Sequence, residues 1–215
     1  MQTVKMKAGQ LPDGKLNEIV QVLDRGGVPC LPCNGTYRLF ADVTNEEAVM
    51  RLIQTKRRVH KAPSLLFISS VSELHKVTDQ VDPVASTLMK ELWPAPLTIR
   101  FSASRDLPRN VVRELTKATG KLGVRVPQNR LSQKVVEGFG NPVYVSSANK
   151  GQKSGETSAA QVRHNFGRQI DLFVDNGDLN PVPSSTVIDV EDNQLDVVRS
   201  GAVSTEKIER VAGVA

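Results

Sequence analysis

A chain of 215 residues is long enough for one sizeable domain or two small ones, and it can bury most of its apolar surface without disulfide or metal staples. With 39% hydrophobic and 24% charged residues the composition is globular, no apolar run approaches the roughly 20 residues of a membrane span, and the N-terminus lacks the apolar core of a signal peptide. A soluble, cytoplasmic protein is therefore expected, with no membrane partner, and two cysteines exclude a disulfide framework.

Residues 1–11 read as an N-terminal arm and 12–215 as one domain, because no composition shift marks a linker. The segment DGKLNEIVQVLDRGG spaces Leu16, Ile19, Val20 and Leu23 as a helix, ended by Gly26 and Gly27. VPCLP follows as a short apolar strand, and the stretch after it reads as a loop. Thr44 and Glu47 form a T-x-x-E capping box that opens a second helix through Ala48, Val49, Leu52 and Ile53. SLLFISS is a buried strand and VSELHKV a short helix. Asp82-Pro83 starts a helix that runs to the prolines of LWPAP. Next come a strand (LTIRFSAS), a helix (LPRNVVREL), a strand (KLGVRVP), a helix (RLSQKVVEGF), a strand (NPVYVSSAN) and a helix (TSAAQVRHNFG). IDLFVD, SSTVIDV and LDVVRS are strands, and a helix spans Thr205 to Val211. Strands that alternate with helices and then bunch predict an α/β fold: a single twisted, mixed sheet with helices packed on it.

Net charge is +5, but the distribution matters more. Ala48 to Ser72 holds Arg51, Lys56, Arg57, Arg58 and Lys61 and no acid, while Asp171 to Asp196 holds seven acids and no Lys or Arg. Such segregation suits an anionic partner, either nucleotide phosphates or RNA, and equally a solvated basic surface.

Cys30 and Cys33 form a C-x-x-C, but they end a strand and are followed by Asn34-Gly35 rather than by the helix N-terminus that activates a redox thiol. Structural zinc wants four ligands, and His60, His75 and His164 are widely spaced. No G-x-G-x-x-G or G-x-x-x-x-G-K is present, so nucleotide binding would need other groups. Lys56 and Arg58 close the capped helix, where they can meet phosphates or simply complement the helix dipole. Ser147 and Asn149 end a strand on one side, with Ala148 on the other; they suit a ligand or a polar turn.

Taken in order, GGVPCLPCNGTYRLFADVTNEEAV, KRR with Pro63, LWPAPLT, GVRVP, SSAN, SSTVID and VVRSGAVS resemble the YrdC family of threonylcarbamoyl-AMP synthases, from about Leu16 to Ser204. The resemblance implies a twisted YrdC-like sheet with a large basic cavity. It implies that threonine and bicarbonate form a carbamate, which attacks the α-phosphate of ATP to give threonylcarbamoyl-AMP and pyrophosphate. Mg2+ would accompany the ATP, and a downstream tRNA threonylcarbamoyl transferase would receive the product. Carried over by position, Lys56 and Arg58 are the catalytic, phosphate-holding pair; Lys121, Ser147, Asn149 and Arg199 bind nucleotide; and Cys33, Tyr37, Arg125 and Ser185 meet threonine.

The family reads P-T-D/E-T-x-Y-G-L where this chain reads Pro32-Cys33-Asn34-Gly35-Thr36-Tyr37-Arg38-Leu39, so Cys33 stands where a hydroxyl is expected and Arg38 where a glycine is. The loop after Arg58 also departs from R-P-x-x-K-P-L. Two further functions fit this pattern: the same chemistry on a different amine, or a YrdC-like module that binds nucleotide, tRNA or double-stranded RNA without catalysis.

Overall fold

The computed structural model describes residues 1–56, 64–150 and 155–213. Ten strands form one mixed sheet: β1 (Gln2–Lys5), β2 (Pro29–Cys33), β3 (Thr36–Asp42), β4 (Leu65–Phe67), β5 (Leu97–Phe101), β6 (Leu122–Arg125), β7 (Val143–Ser147), β8 (Leu172–Asp175), β9 (Thr186–Glu191) and β10 (Gln194–Arg199). Their spatial order is β1-β8-β2-β3-β7-β4-β6-β5-β9-β10. The β1/β8, β2/β8, β4/β6 and β5/β9 pairs are parallel, and the other neighbours are antiparallel. Seven α-helices, α1 (Lys15–Asp24), α2 (Glu46–Thr55), α3 (Pro83–Leu92), α4 (Arg109–Thr116), α5 (Arg130–Phe139), α6 (Ala159–Phe166) and α7 (Thr205–Ala212), and one 3-10 helix (Val71–Lys76) complete the described chain. The expected α/β sheet with packed helices is what forms.

Three local expectations change. The N-terminal arm begins as an edge strand: β1 hydrogen-bonds along β8, with Val4 buried against it. The expected loop after Cys33 is the second half of a hairpin. Asn34 and Gly35 form its two-residue turn with φ of 48° and 72°, the left-handed pair that matches strand twist. A Cβ at Gly35 would lie 2.3 Å from the Asn180 carbonyl oxygen, so this turn admits only glycine there. Finally, α2 is capped by Asn45, whose side chain accepts from the Ala48 N–H at 3.0 Å, and not by Thr44. Asp42 takes both the N–H and the hydroxyl of Thr44, at 2.8 and 2.7 Å, which removes it from the cap.

Helix cover is uneven. Helices α2, α3, α4, α6 and α7 pack their apolar stripes on one face, around Leu39, Leu66, Val124 and Ile188. On the other face only α1 and α5 are packed, over Leu31, Phe40, Val143, Val145, Leu172 and Phe67, which belong to β8, β2, β3, β7 and β4. The same face of β6, β5, β9 and β10 carries polar side chains instead, and among the described residues no helix core covers it. Burying leucines at about 25 cal/mol per Å² of apolar area drives the covered half together.

Candidate active site

Strand register decides which residues point away from the core that packs α2, α3, α4, α6 and α7. Cys33 pairs with Thr36 and Leu31 with Arg38 across the hairpin, and Arg38 pairs with Ser147 on β7. Following the rows onward, Phe67 pairs with both Val143 and Arg125, and the Ile99–Val124 pair sets Thr98 beside Arg125. Residues paired across a row point to one face, and alternate residues along a strand do too. Cys33, Thr36, Arg38, Ser147, Arg125 and Thr98 therefore project together.

Lys56 ends α2 and reaches the strand end at β7. Its Nζ donates to Ser146 Oγ at 2.8 Å and to Ser147 Oγ at 3.3 Å, and Ser147 Oγ donates to Asn149 Oδ1 at 2.8 Å. This joins Lys56, Ser147 and Asn149 in one contiguous group, to which the structure adds Ser146. Ser146 was missed because strand alternation sends it to the opposite face, and Lys56 contacts both hydroxyls by approaching over the strand end.

Arg125 is only 2% exposed, and its guanidinium lies 4.9 Å from the centre of the Phe67 ring. Its Nε, like that of Arg38, is buried with no hydrogen-bond partner among the described residues. Burial pushes its pKa down to about 10, against an opposing influence of Cys33 and with added repulsion from Arg38 and Arg199. Arg199, on β10, folds back on Ser185: its Nη2 donates to the Ser185 carbonyl at 2.8 Å and to Ser185 Oγ at 3.2 Å. Thr98 Oγ1 also donates to Ser185 Oγ, at 3.2 Å. Desolvation and the charge of Arg38 lower the Arg199 pKa. The charge of Arg38 thus acts on both Arg125 and Arg199.

Two expected residues stand elsewhere. Tyr37 alternates to the opposite face, fully buried and 5.2 Å from Phe173 ring to ring. Its hydroxyl donates to the Gly177 carbonyl at 2.6 Å and accepts from the Asn176 N–H at 3.0 Å, and burial pushes its pKa up to about 12. It anchors the hairpin to the chain after β8. Lys121 precedes β6, whereas Arg125 ends it, so about 13 Å of strand separates them. Lys121 pairs with Asp189 at 3.2 Å and with Glu191 at 2.7 Å, and Arg100 forks onto the same Asp189. Its charge is already matched by acids. Arg58 lies outside the described residues, as do His60, Lys61 and Pro63.

The C-x-x-C is split by the same alternation. Cys30 points into the helix-covered core, where burial raises its thiol pKa, and Cys33 points to the opposite face. Both are free thiols, and among the described residues no cluster of three His, Cys, Asp or Glu could hold a metal. Arg38 stands out in the sequence only as a departure from the family's glycine, and the Asn34-Gly35 hairpin sets it on the same side as Cys33.

A single twisted sheet, half covered by helices on one face, with lysine, arginine and hydroxyl side chains on that face, defines an α/β domain of mixed-sheet type. A family model described as "Telomere recombination" (Sua5_yciO_yrdC) matches residues 21–201, and the chain belongs to this Sua5/YciO/YrdC family. Threonylcarbamoyl-AMP synthase of Pyrococcus abyssi is 28% identical over 204 residues, which are 95% of this chain and 59% of the relative. A second threonylcarbamoyl-AMP synthase, from Coxiella burnetii, is 30% identical over 173 residues, 80% of this chain and 90% of the relative. Escherichia coli YciO, described as uncharacterized, is 29% identical over 187 residues, 86% of this chain and 88% of its own. Among solved structures, P. abyssi Sua5 complexed with L-threonine superposes with a TM-score of 0.84 at 28% identity, over 99% of this chain and 60% of that one. E. coli YciO superposes with a TM-score of 0.82 at 25% identity, over 96% and 98%. The chain thus spans under two thirds of the length of the Pyrococcus relative. No described helix is long and apolar enough to cross a membrane.

Proposed function

We propose that this protein joins an amino-acid carbamate to ATP, forming a carbamoyl-adenylate and releasing pyrophosphate, with threonine and bicarbonate as the reactants that the relatives' names suggest. The product would then be threonylcarbamoyl-AMP, consumed by a tRNA-modifying threonylcarbamoyl transferase. The observation that carries the reading is the contiguous Lys56, Ser146, Ser147 and Asn149 group beside a face that holds the buried, unpartnered Arg125.

In this reaction the amine of threonine adds to carbon dioxide from bicarbonate, giving a carbamate. A carbamate oxygen attacks the α-phosphorus, a new P–O bond forms, and the bond from that phosphorus to the bridging oxygen breaks. The electron pair leaves with pyrophosphate. Such a step asks the protein for positioning and charge neutralisation rather than covalent catalysis. Lys56 supplies a cation fixed by two hydroxyls, and Arg58 is the expected second phosphate contact. Arg125 presents a planar fork that fits the α-carboxylate of the amino acid. Ser147, Asn149 and Arg199 hold the nucleotide. The described site offers hydroxyls and cations rather than carboxylates, so Mg2+ would be carried by the phosphates of ATP and would add charge neutralisation there.

The test is to incubate the protein with ATP, bicarbonate and threonine and to measure pyrophosphate and the adenylate. Threonine-dependent release of both is expected. No pyrophosphate with any amino acid, together with salt-sensitive RNA binding, would replace this reading with a non-catalytic RNA-binding role.

A further inference from the structure

The sheet face that carries Arg38 on β3 and Arg125 on β6, with Arg199 on β10, is rich in hydrogen-bond donors. Arg38, Arg125 and Arg199 stand on it, and the buried Nε atoms of Arg38 and Arg125 have no partner among the described residues. The charges acting on Arg125 are those of Cys33, Arg38 and Arg199, the one acting on Arg199 is that of Arg38, and none is a carboxylate. Of the nearby hydroxyls, Ser185 Oγ accepts from both Thr98 and Arg199, whereas Thr36 Oγ1 donates to the Cys33 carbonyl at 3.4 Å and keeps its lone pairs. The Cys33 thiol is a weak donor and a weak acceptor.

A wall of this kind discriminates by charge. A neutral side-chain hydroxyl can pair with the Thr36 oxygen but leaves Arg38 without a counter-charge, whereas an acid meets N–H donors and supplies that charge. One α-carboxylate satisfies one guanidinium fork, and Arg199 is spread over Ser185. That leaves Arg38 as a partly buried cation, on the face of Cys33 and Ser147, without a counter-charge among the described residues. Buried cations without counter-charges are costly, so their ligand brings the missing anion.

We infer that this face takes an amino acid with a second acidic group on its side chain, a carboxylate or a phosphate, in preference to threonine, with Arg125 on the α-carboxylate and Arg38 on the side-chain acid. The inference rests on the carbamoyl-adenylate reading for the orientation of the amino acid, and Arg38 is then the residue that sets specificity.

The test is calorimetric binding of L-threonine, L-aspartate, L-glutamate and O-phospho-L-threonine to the wild-type protein and to Arg38→Gly, Arg38→Gln and Arg38→Lys, each first checked for a cooperative melt. One acidic amino acid should bind at least about tenfold tighter than threonine, the increment of a well-placed charge-assisted hydrogen bond. The carboxylate and phosphate arms tell which acid fits. Arg38→Gln and Arg38→Gly should erase the preference, and Arg38→Lys should keep most of it. Threonine binding as tightly as every acid, a preference that survives Arg38→Gln, or a loss confined to ATP affinity would each overturn the inference. Pyrophosphate release, measured separately, tells the two readings apart. Release with threonine but no acid preference removes the inference and leaves the reaction. An Arg38-dependent preference without any release removes the reaction and leaves the specificity.

Discussion

Arg125→Met should make the ligand-free protein more stable while abolishing its activity. The side chain is 2% exposed, has no counter-ion among the described residues and is repelled by two other arginines. Its pKa falls from 12.5 to about 10 in the folded state. Each unit is about 1.4 kcal/mol, so the charge costs roughly 3 kcal/mol of stability. The sign is fixed by linkage. Below pH 10 both states are protonated and the cost is constant; between the two pKa values the unfolded chain binds more protons, so stability rises with pH there. Methionine has a similar length and no charge. It removes that cost but loses the cation–π contact with Phe67, about 1 kcal/mol, so a net gain of about 2 kcal/mol is expected. For a chain of this size that is a rise in Tm of roughly 4–8 °C. Urea denaturation near pH 7 and differential scanning calorimetry both measure it. If Arg125→Met lowers the stability of the ligand-free protein by a comparable amount, the guanidinium is a satisfied structural cation, and it is not a poised substrate group.

Three further outcomes are expected. Lys56→Ala should reduce kcat/KM by about 10²–10³-fold in the pyrophosphate assay, as loss of a preorganised charge contact does, with Tm changed little because Lys56 is only half-buried. Gly35→Ala should destabilise the fold by roughly 2–4 kcal/mol, seen as a lower urea midpoint and faster proteolysis after β2, because the added methyl meets the Asn180 carbonyl and demands a positive φ. Asp189 is held below the usual carboxylate range by Arg100 and Lys121 despite its partial burial, so its contribution is complete above about pH 4 and is lost as pH falls through its folded pKa. The urea midpoint of Asp189→Asn should therefore lie below that of the wild type at pH 7 and converge on it in acid.

The fold was legible where local chemistry is decisive. Asp82-Pro83 starts α3 as expected, with the Asp82 carboxylate accepting from the Val84 N–H at 2.8 Å. The order of apolar runs and helical stripes was enough for a mixed sheet. β3 was hidden because both of its faces are largely buried: Tyr37, Leu39, Phe40 and Ala41 are all inside, so the two-residue alternation that marks a half-solvated strand is absent. β1 was hidden because it is four residues long with one buried side chain. At the site, Ser147 and Asn149 were legible as a strand-end pair. The partners of Lys121 were not, because meeting Asp189 requires the β6/β5/β9 register, which no local pattern encodes. The phenol of Tyr37 looked like a substrate contact until the hairpin assigned it to the other face.

That hairpin also means that a two-residue turn decides which side chains face the arginine-bearing side of the sheet. A slip of one residue between β2 and β3 would exchange Tyr37 and Arg38, driving the guanidinium into the aromatic core and the phenol into the pocket. Lengthening the Asn34-Gly35 connection by a single residue would invert the chemistry of the wall without altering any residue that lines it.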